Sequence, residues 1–175
     1  MSQALPNFEE GLQLLKDHGA SKHVITHSLA VMEVANQIAA YFPTADKELI
    51  KIGALLHDLG RTQTHGLEHA IKGAQLAQGL DLPQELINII ERHMGAGISP
   101  QEAEKMGLPT KDYRPQSLEE KIVAHADNLI DKGKKQPIAK EVNKALKNNK
   151  KLLAYNLLKL HLELSELAGI DLDDI

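Results

Sequence analysis

The stretch Ala54-Leu55-Leu56-His57-Asp58-Leu59-Gly60-Arg61 ends an apolar helical run on an adjacent His and Asp, then stops at a glycine. Neighbouring imidazole and carboxylate groups at the last turn of a helix can both reach one divalent cation, so the pair reads as a metal chelate. Four other residues strengthen that reading. His27 stands upstream in His23-Val24-Ile25-Thr26-His27-Ser28, and His69, His93 and Asp127 follow in three separate segments, each within a helical pattern. Ligands gathered from five segments are what a metallohydrolase requires.

Outward from that stretch, apolar residues recur at steps of three and four through nearly every long segment, and no alternating β-branched run competes with them. The expected fold is all-α, in a single domain. Asn7 with Glu10 predicts a capping box opening a first helix to about His18, stopped by Gly19. Ser21 caps the second helix, whose Val24, His27, Val31, Val34 and Ile38 share one stripe, so His27 is expected on its buried side. A third helix is expected from about Asp46 to Asp58. After a loop from Arg61 to Gly66, a fourth runs from about Leu67 to Gly79 and a fifth from Pro83 to near His93. Gly95 and Gly97 break the regularity, and Ser99-Pro100-Gln101-Glu102 predicts a short capped helix within a lid or rim from Met94 to Pro115. Ser117 with Glu120 opens a helix through Ile130 that turns Asp127 toward the core beside Val123 and Ile130. The last long helix, about Asn149 to Ala168, aligns Leu153, Leu157, Leu160, Leu164 and Leu167 in a stripe that serves either internal packing or a homodimer seam. The Lys-rich stretch from Lys132 to Lys151 reads as a solvated face.

A chain of 175 residues can bury a core as one domain. Its 20 basic and 24 acidic residues, formal net charge -4, make no global case for nucleic-acid binding, although local basic patches stay open. The absence of cysteine excludes disulfides, Fe–S clusters and thiolate zinc sites, so imidazole and carboxylate must hold any metal. No charged-then-apolar leader opens the chain and no apolar run is long enough to span a bilayer, so a cytoplasmic protein without membrane association is expected.

Asp127 on an apolar stripe requires a strong compensating partner, and a cation is the economical one. His69 is in register with Gly73, Leu76 and Leu80, and His93 with Leu86, Ile89 and Ile90. A single core-facing histidine is more often a hydrogen-bonded core residue, as His161 between Leu157 and Leu164 illustrates. The conjunction of several in a chain without cysteine is what points to a metal. His23, four residues before His27, fits a supporting role, a cap or a surface position equally. His65 lies in the loop opposite the site, and His125 points about 200° away from Asp127 around the helix.

These residues resemble the HD-domain metal-dependent phosphohydrolases, whose His, His-Asp and distant Asp pattern appears as His27, His57-Asp58 and Asp127. The resemblance covers about 21–132, leaving a C-terminal helical extension over about 136–170. His-Asp-Leu-Gly-Arg resembles the His-Asp-Ile-Gly-Lys form of the HDIG branch. His69-Ala70-Ile71-Lys72-Gly73-Ala74 and Arg92-His93-Met94-Gly95-Ala96-Gly97 resemble the next two motifs, and the chain is most similar to small stand-alone archaeal HDIG proteins. It departs from the cyclic-di-GMP hydrolases in having one His and then Gly97-Ile98-Ser99-Pro100. It departs from some HD nucleotidases in having Arg61 in place of an acid.

The resemblance implies a helical bundle with a first divalent metal on His27, His57, Asp58 and Asp127. If His69 and His93 also ligate, Asp58 bridges to a second. Mixed imidazole and carboxylate donors suit Mn, Fe, Co, Ni or Zn. The implied function is hydrolysis of a nucleotide or another small phosphomonoester or phosphodiester by a metal-activated hydroxide, with Asp58 at the metals and Arg61 clamping phosphate. Lys72 and Arg92 are weaker candidates for added charge. Competing readings are a catalytically idle metal- and nucleotide-binding regulator, a di-iron oxygenase and a metal-free helical interaction module.

Overall fold

The computed structural model describes residues 4–175, and among them nine α-helices build the domain. They are α1 (Phe8–Asp17), α2 (Lys22–Ala39), α3 (Lys47–Leu56), α4 (His69–Gly79), α5 (Gln84–Glu91), α6 (Pro100–Lys105), α7 (Leu118–Asn128), α8 (Ile138–Lys147) and α9 (Lys151–Ala168). The caps fall where the side chains predict. Asn7 and Ser99 each exchange both capping-box hydrogen bonds with the acid three residues on, and Ser21 and Ser117 accept from Val24 and Glu120. No helix among the described residues is long and apolar enough to cross a membrane.

Helix α3 is buried on nearly every side, the condition that sends a helix through the middle of a domain. One face gives Ile50 and Ala54 to a core shared with Val31, Val34 and Ile38 of α2, Ile122 and Val123 of α7 and Leu157, Leu160 and Leu164 of α9. The other gives Ile52, Leu55 and Leu56 to a second core with Leu15, Leu86 and Ile90. The chain leaving α3 therefore delivers His57 and Asp58 to the centre of the bundle.

Two expectations are corrected. The helix carrying Asp127 ends at Asn128, because Lys132 and Gly133 both take positive φ (49° and 75°) and fold Ile130–Asp131 back on Lys134–Lys135 as β1 and β2, a minimal antiparallel hairpin. The leucine stripe of α9 is internal: Leu157, Leu160 and Leu164 are buried against α2, α3 and α7, so they cannot serve a dimer seam, while Leu167 lies exposed outside the core.

Gly60 lies in a 3-10 turn, Leu59–Thr62, that presses directly on α4. A β-carbon there would stand 1.7 Å from the His69 carbonyl oxygen and 2.6 Å from the Gly73 nitrogen. At Gly73 the same addition would meet the Ile90 side chain at 2.8 Å and the Gly60 nitrogen at 2.9 Å. Two glycines thus let one backbone rest on another and set the distance between the His57-Asp58 pair and His69. Replacing Gly60 with Ala forces that contact apart and is expected to destabilise the domain by about 3 kcal/mol. Urea unfolding of Gly60→Ala, and of Gly79→Ala as a control whose site is open and whose φ is not positive, measures it; equal midpoints would contradict the close-approach explanation.

Candidate metal centre

Six side chains from five segments meet, with Asp58 at their middle. His27 comes from the second turn of α2, His57 and Asp58 from the end of α3, His69 from the first turn of α4, His93 from just beyond α5 and Asp127 from the last turn of α7. One carboxylate oxygen of Asp58 lies 3.7 Å from His27 Nε2 and 3.6 Å from His57 Nε2. The other lies 3.3 Å from both His69 Nε2 and His93 Nε2. Asp127 Oδ1 completes the first group, 2.9 Å from His27 Nε2 and 3.5 Å from His57 Nε2. Asp58 therefore stands between two clusters of donors and offers one oxygen to each.

The proton positions of three rings follow from the backbone. Nδ1–H of His57 donates to the Ala54 carbonyl at 2.7 Å, that of His69 to Gly66 at 2.9 Å and that of His93 to Ile90 at 2.7 Å. A carbonyl only accepts, so each neutral ring turns an unprotonated Nε2 inward. For His57 and His93 the acceptor is one of the carbonyls that a helix C-terminus leaves without a partner. The consequence is a conflict: His69 Nε2 and His93 Nε2 face each other at 3.1 Å as two lone pairs beside a carboxylate, and His57 Nε2 is buried with no hydrogen-bond partner. Positive charge between these atoms removes the conflict, and the donor set, imidazole nitrogen with carboxylate oxygen, suits a divalent transition metal.

The electrostatics point the same way. Burial opposes a charge on His57, yet the Asp58 and Asp127 carboxylates outweigh it and hold its pKa up at about 9. Burial pushes His93 below the ordinary imidazole range, with Asp58 acting against it. Burial also disfavours the Asp58 and Asp127 anions, but the His57 charge and the imidazole hydrogen bonds carry both well below the usual carboxylate range. Two ionised acids in a recess demand a cation, and without a metal His57 supplies a proton.

His27 and Asp127 are less enclosed than their helical stripes suggest, at 21% and 22% side-chain exposure against 0% for His57, so the chamber opens on their side. Arg61 reaches inward, its Nε 3.6 Å from Asp58, and donates to the His65 carbonyl at 2.8 Å. Arg92 is engaged elsewhere: both Glu120 oxygens hold it, at 3.0 and 3.1 Å. His23 and His65 are exposed, Lys72 lines a neighbouring pocket, and His125 lies outside the chamber. What sequence reading missed is the partner of His161, which bonds His125 at 3.0 Å and Asp171 at 2.9 Å.

The HD-domain family model matches residues 24–130. A tRNA (cytidine(56)-2'-O)-methyltransferase of Picrophilus torridus is 44% identical across 98% of this chain, which spans only 50% of that protein. The chain thus covers about half the length of the curated relatives it matches first. An uncharacterized protein of Methanocaldococcus jannaschii is 50% identical over 70% of this chain and 75% of its own. Among solved structures, the HD domain of the Listeria monocytogenes phosphodiesterase PgpH in complex with cyclic-di-AMP superposes with TM-score 0.59 at 17% identity, covering 90% of this chain and 96% of that one.

Replacing Asp127 with Asn is expected to abolish tight metal binding, and His27→Ala to weaken it strongly, whereas His69→Ala or His93→Ala removes about one ion and leaves the other cluster partly filled. Elemental analysis reads each; full occupancy in Asp127→Asn contradicts the ligand set. A cation must also displace the His57 proton. Affinity should therefore weaken as pH falls below about 9, by up to roughly tenfold per unit between pH 9 and 7. Competition titration against a chelator measures that slope, and a flat profile after chelator correction contradicts proton displacement.

Proposed function

This chain belongs to the HD-domain family, and we propose that it is a metal-dependent phosphohydrolase acting on a nucleotide phosphoester, free or at the end of an RNA. The observation that carries the reading is the inward set of unprotonated imidazole nitrogens on both sides of Asp58. His27, His57, Asp58 and Asp127 would hold one divalent cation and Asp58, His69 and His93 a second. When bound, such cations supply Lewis-acid polarisation of phosphoryl oxygens and acidify a water for attack on phosphorus.

The protein's own groups then bind and orient. Arg61 sits beside Asp58 with its side chain 30% exposed, anchored by the His65 carbonyl and with no further acceptor among the described residues. That leaves N–H groups for a phosphate at the centre, which a planar fork grips in two places.

Support for a nucleotide comes from the cyclic-di-AMP bound by the PgpH domain. Support for an RNA setting comes from the tRNA methyltransferase name of the Picrophilus torridus relative.

Turnover of a panel of nucleoside monophosphates, cyclic nucleotides and short RNAs, with metal added back to chelated protein, tests the proposal. Hydrolysis of at least one, read as phosphate release from a monoester or as ring opening or strand cleavage of a diester, and lost in Asp127→Asn, is expected; binding without hydrolysis of any would make the protein a nucleotide-binding regulator instead. On a substrate that is hydrolysed, Arg61→Ala is expected to keep its metal and lose about ten- to a hundredfold in kcat/KM, roughly 1.4 to 2.7 kcal/mol, with poor rescue by Arg61→Lys. Unaltered kinetics would leave Arg61 as a tether for the His65 loop.

A further inference from the structure

Charge is unevenly laid out along this chain. Residues 132–151 hold eight of its 20 basic residues and one of its 24 acidic ones, so a segment of net charge +7 sits in a protein of net charge -4. All eight lysines are exposed. Lys135 is used to hold the Asp173 and Ile175 carbonyls, and Lys144 reaches Glu141 at 3.7 Å. Lys132, Lys134, Lys140, Lys147, Lys150 and Lys151 have no hydrogen-bond or ion-pair partner among the described residues.

These groups share a face. Lys140, Lys144 and Lys147 lie on the side of α8 opposite the buried Ile138 and Ala145. With Asn143 and Asn148 they line a groove of about 540 Å³ between α8 and the hairpin. Its walls carry no apolar side chain, and of its two acids Glu141 is occupied by Gln136 and Lys144 while Asp131 sits on the hairpin. A surface that enters lipid or grips a protein partner needs apolar anchors, and the exposed leucines of α8 and the start of α9, Leu146 and Leu152, lie outside the groove. This groove offers ammonium and amide groups, which suit phosphate and ribose oxygens. On α9, Lys151, Tyr155 and Lys159 follow at steps of four along one outward stripe, with Tyr155 63% exposed. A flat ring between two cations is a stacking platform for a base with its phosphates on either side.

The face also leads to the chamber. The turn of the hairpin rests beside α2, where a β-carbon at Gly133 would lie 3.8 Å from the methyl of Thr26, the residue before His27. His27 and Asp127 are the ligands on the open side of the metal centre. We propose that α8, the hairpin and the start of α9 form an RNA-binding face that grips the phosphodiester backbone and delivers a phosphoester of that RNA to the centre. The delivery rests on the phosphohydrolase reading above; the binding does not.

Fluorescence anisotropy with a labelled RNA hairpin tests it, on the full chain in the presence of a chelator so that binding is read without turnover. Affinity should fall steeply as salt rises. Lys140→Gln/Lys144→Gln/Lys147→Gln should lower affinity about tenfold or more near 0.1 M salt and flatten the logarithmic salt slope by roughly two to three, while Lys16→Gln/Lys105→Gln changes neither. Matching thermal melts show that the exposed substitutions leave the fold intact. Intact RNA binding with no turnover of any RNA would support the face and count against the phosphohydrolase reading alone. The proposal is overturned if the parent binds no RNA at low salt, if the triple variant binds as tightly, or if DNA of the same sequence binds equally. Phosphatidylserine vesicles binding in place of RNA would overturn it too.

Discussion

Asp58 can keep its charge in a recess only because imidazoles close on it from both sides, and those imidazoles can face it only if something positive lies between. Three rings commit their Nδ1–H groups to backbone carbonyls, so in its neutral form none has a donor left for the acid. Removing two carboxylates and several lone pairs from water without a compensating charge would cost more than the surrounding core can absorb. The rest of the fold follows from this constraint. Helix α3 is buried on both faces so that its end arrives at the centre, and the Gly60–Gly73 contact fixes how near α4 brings the opposing histidine.

Much of that centre was legible in the residue types. Helical spacing placed His27, His69 and Asp127 on inward stripes, and adjacency made His57 and Asp58 a pair before any coordinates were needed. Spacing did not reveal that His57 and His93 stand just beyond their helices, where unpaired carbonyls orient the rings. Nor did it reveal why a glycine follows the pair. Periodicity reports which face of one helix is buried but not which foreign backbone approaches it, and Gly60 meets α4 through a contact that only the folded chain defines. The α9 stripe shows the same limit: identical spacing serves a core or a dimer seam, and the partner helices decide. The β1–β2 hairpin carried no alternation to read, because each strand is two residues long.

His125 and His161 show how one helix separates two polar tasks. Asp127 lies about 200° from His125 around α7, so the acid enters the chamber while the imidazole turns to α9. Burial pushes His125 down to about 3, with a contribution from His161, and it stays neutral at any ordinary pH. A neutral ring there can accept or donate toward His161, whose other nitrogen meets Asp171 in the turn after α9. This chain of contacts fastens the C-terminal turn to the helix that bears Asp127. The extension beyond the matched family region therefore supports the centre from behind without contributing a ligand to it.

The opening of the chamber and the layout of surface charge belong together. A phosphoester substrate, as proposed, would approach a protein of net negative charge, and long-range repulsion would slow that approach if the surface were uniform. On the reading proposed above, the eight lysines of 132–151, whose hairpin turn lies beside Thr26, would give a positive approach to the side where the chamber is open. The acidic residues elsewhere then act with it, since a polyanion repelled from most of the surface is left with one favourable path. Screening would shorten its reach to about 8 Å at physiological salt, about one and a half turns of helix. Capture on the lysine face and entry into the chamber would therefore be consecutive steps of one electrostatic gradient, positive lysines first and the cation-demanding carboxylates behind them.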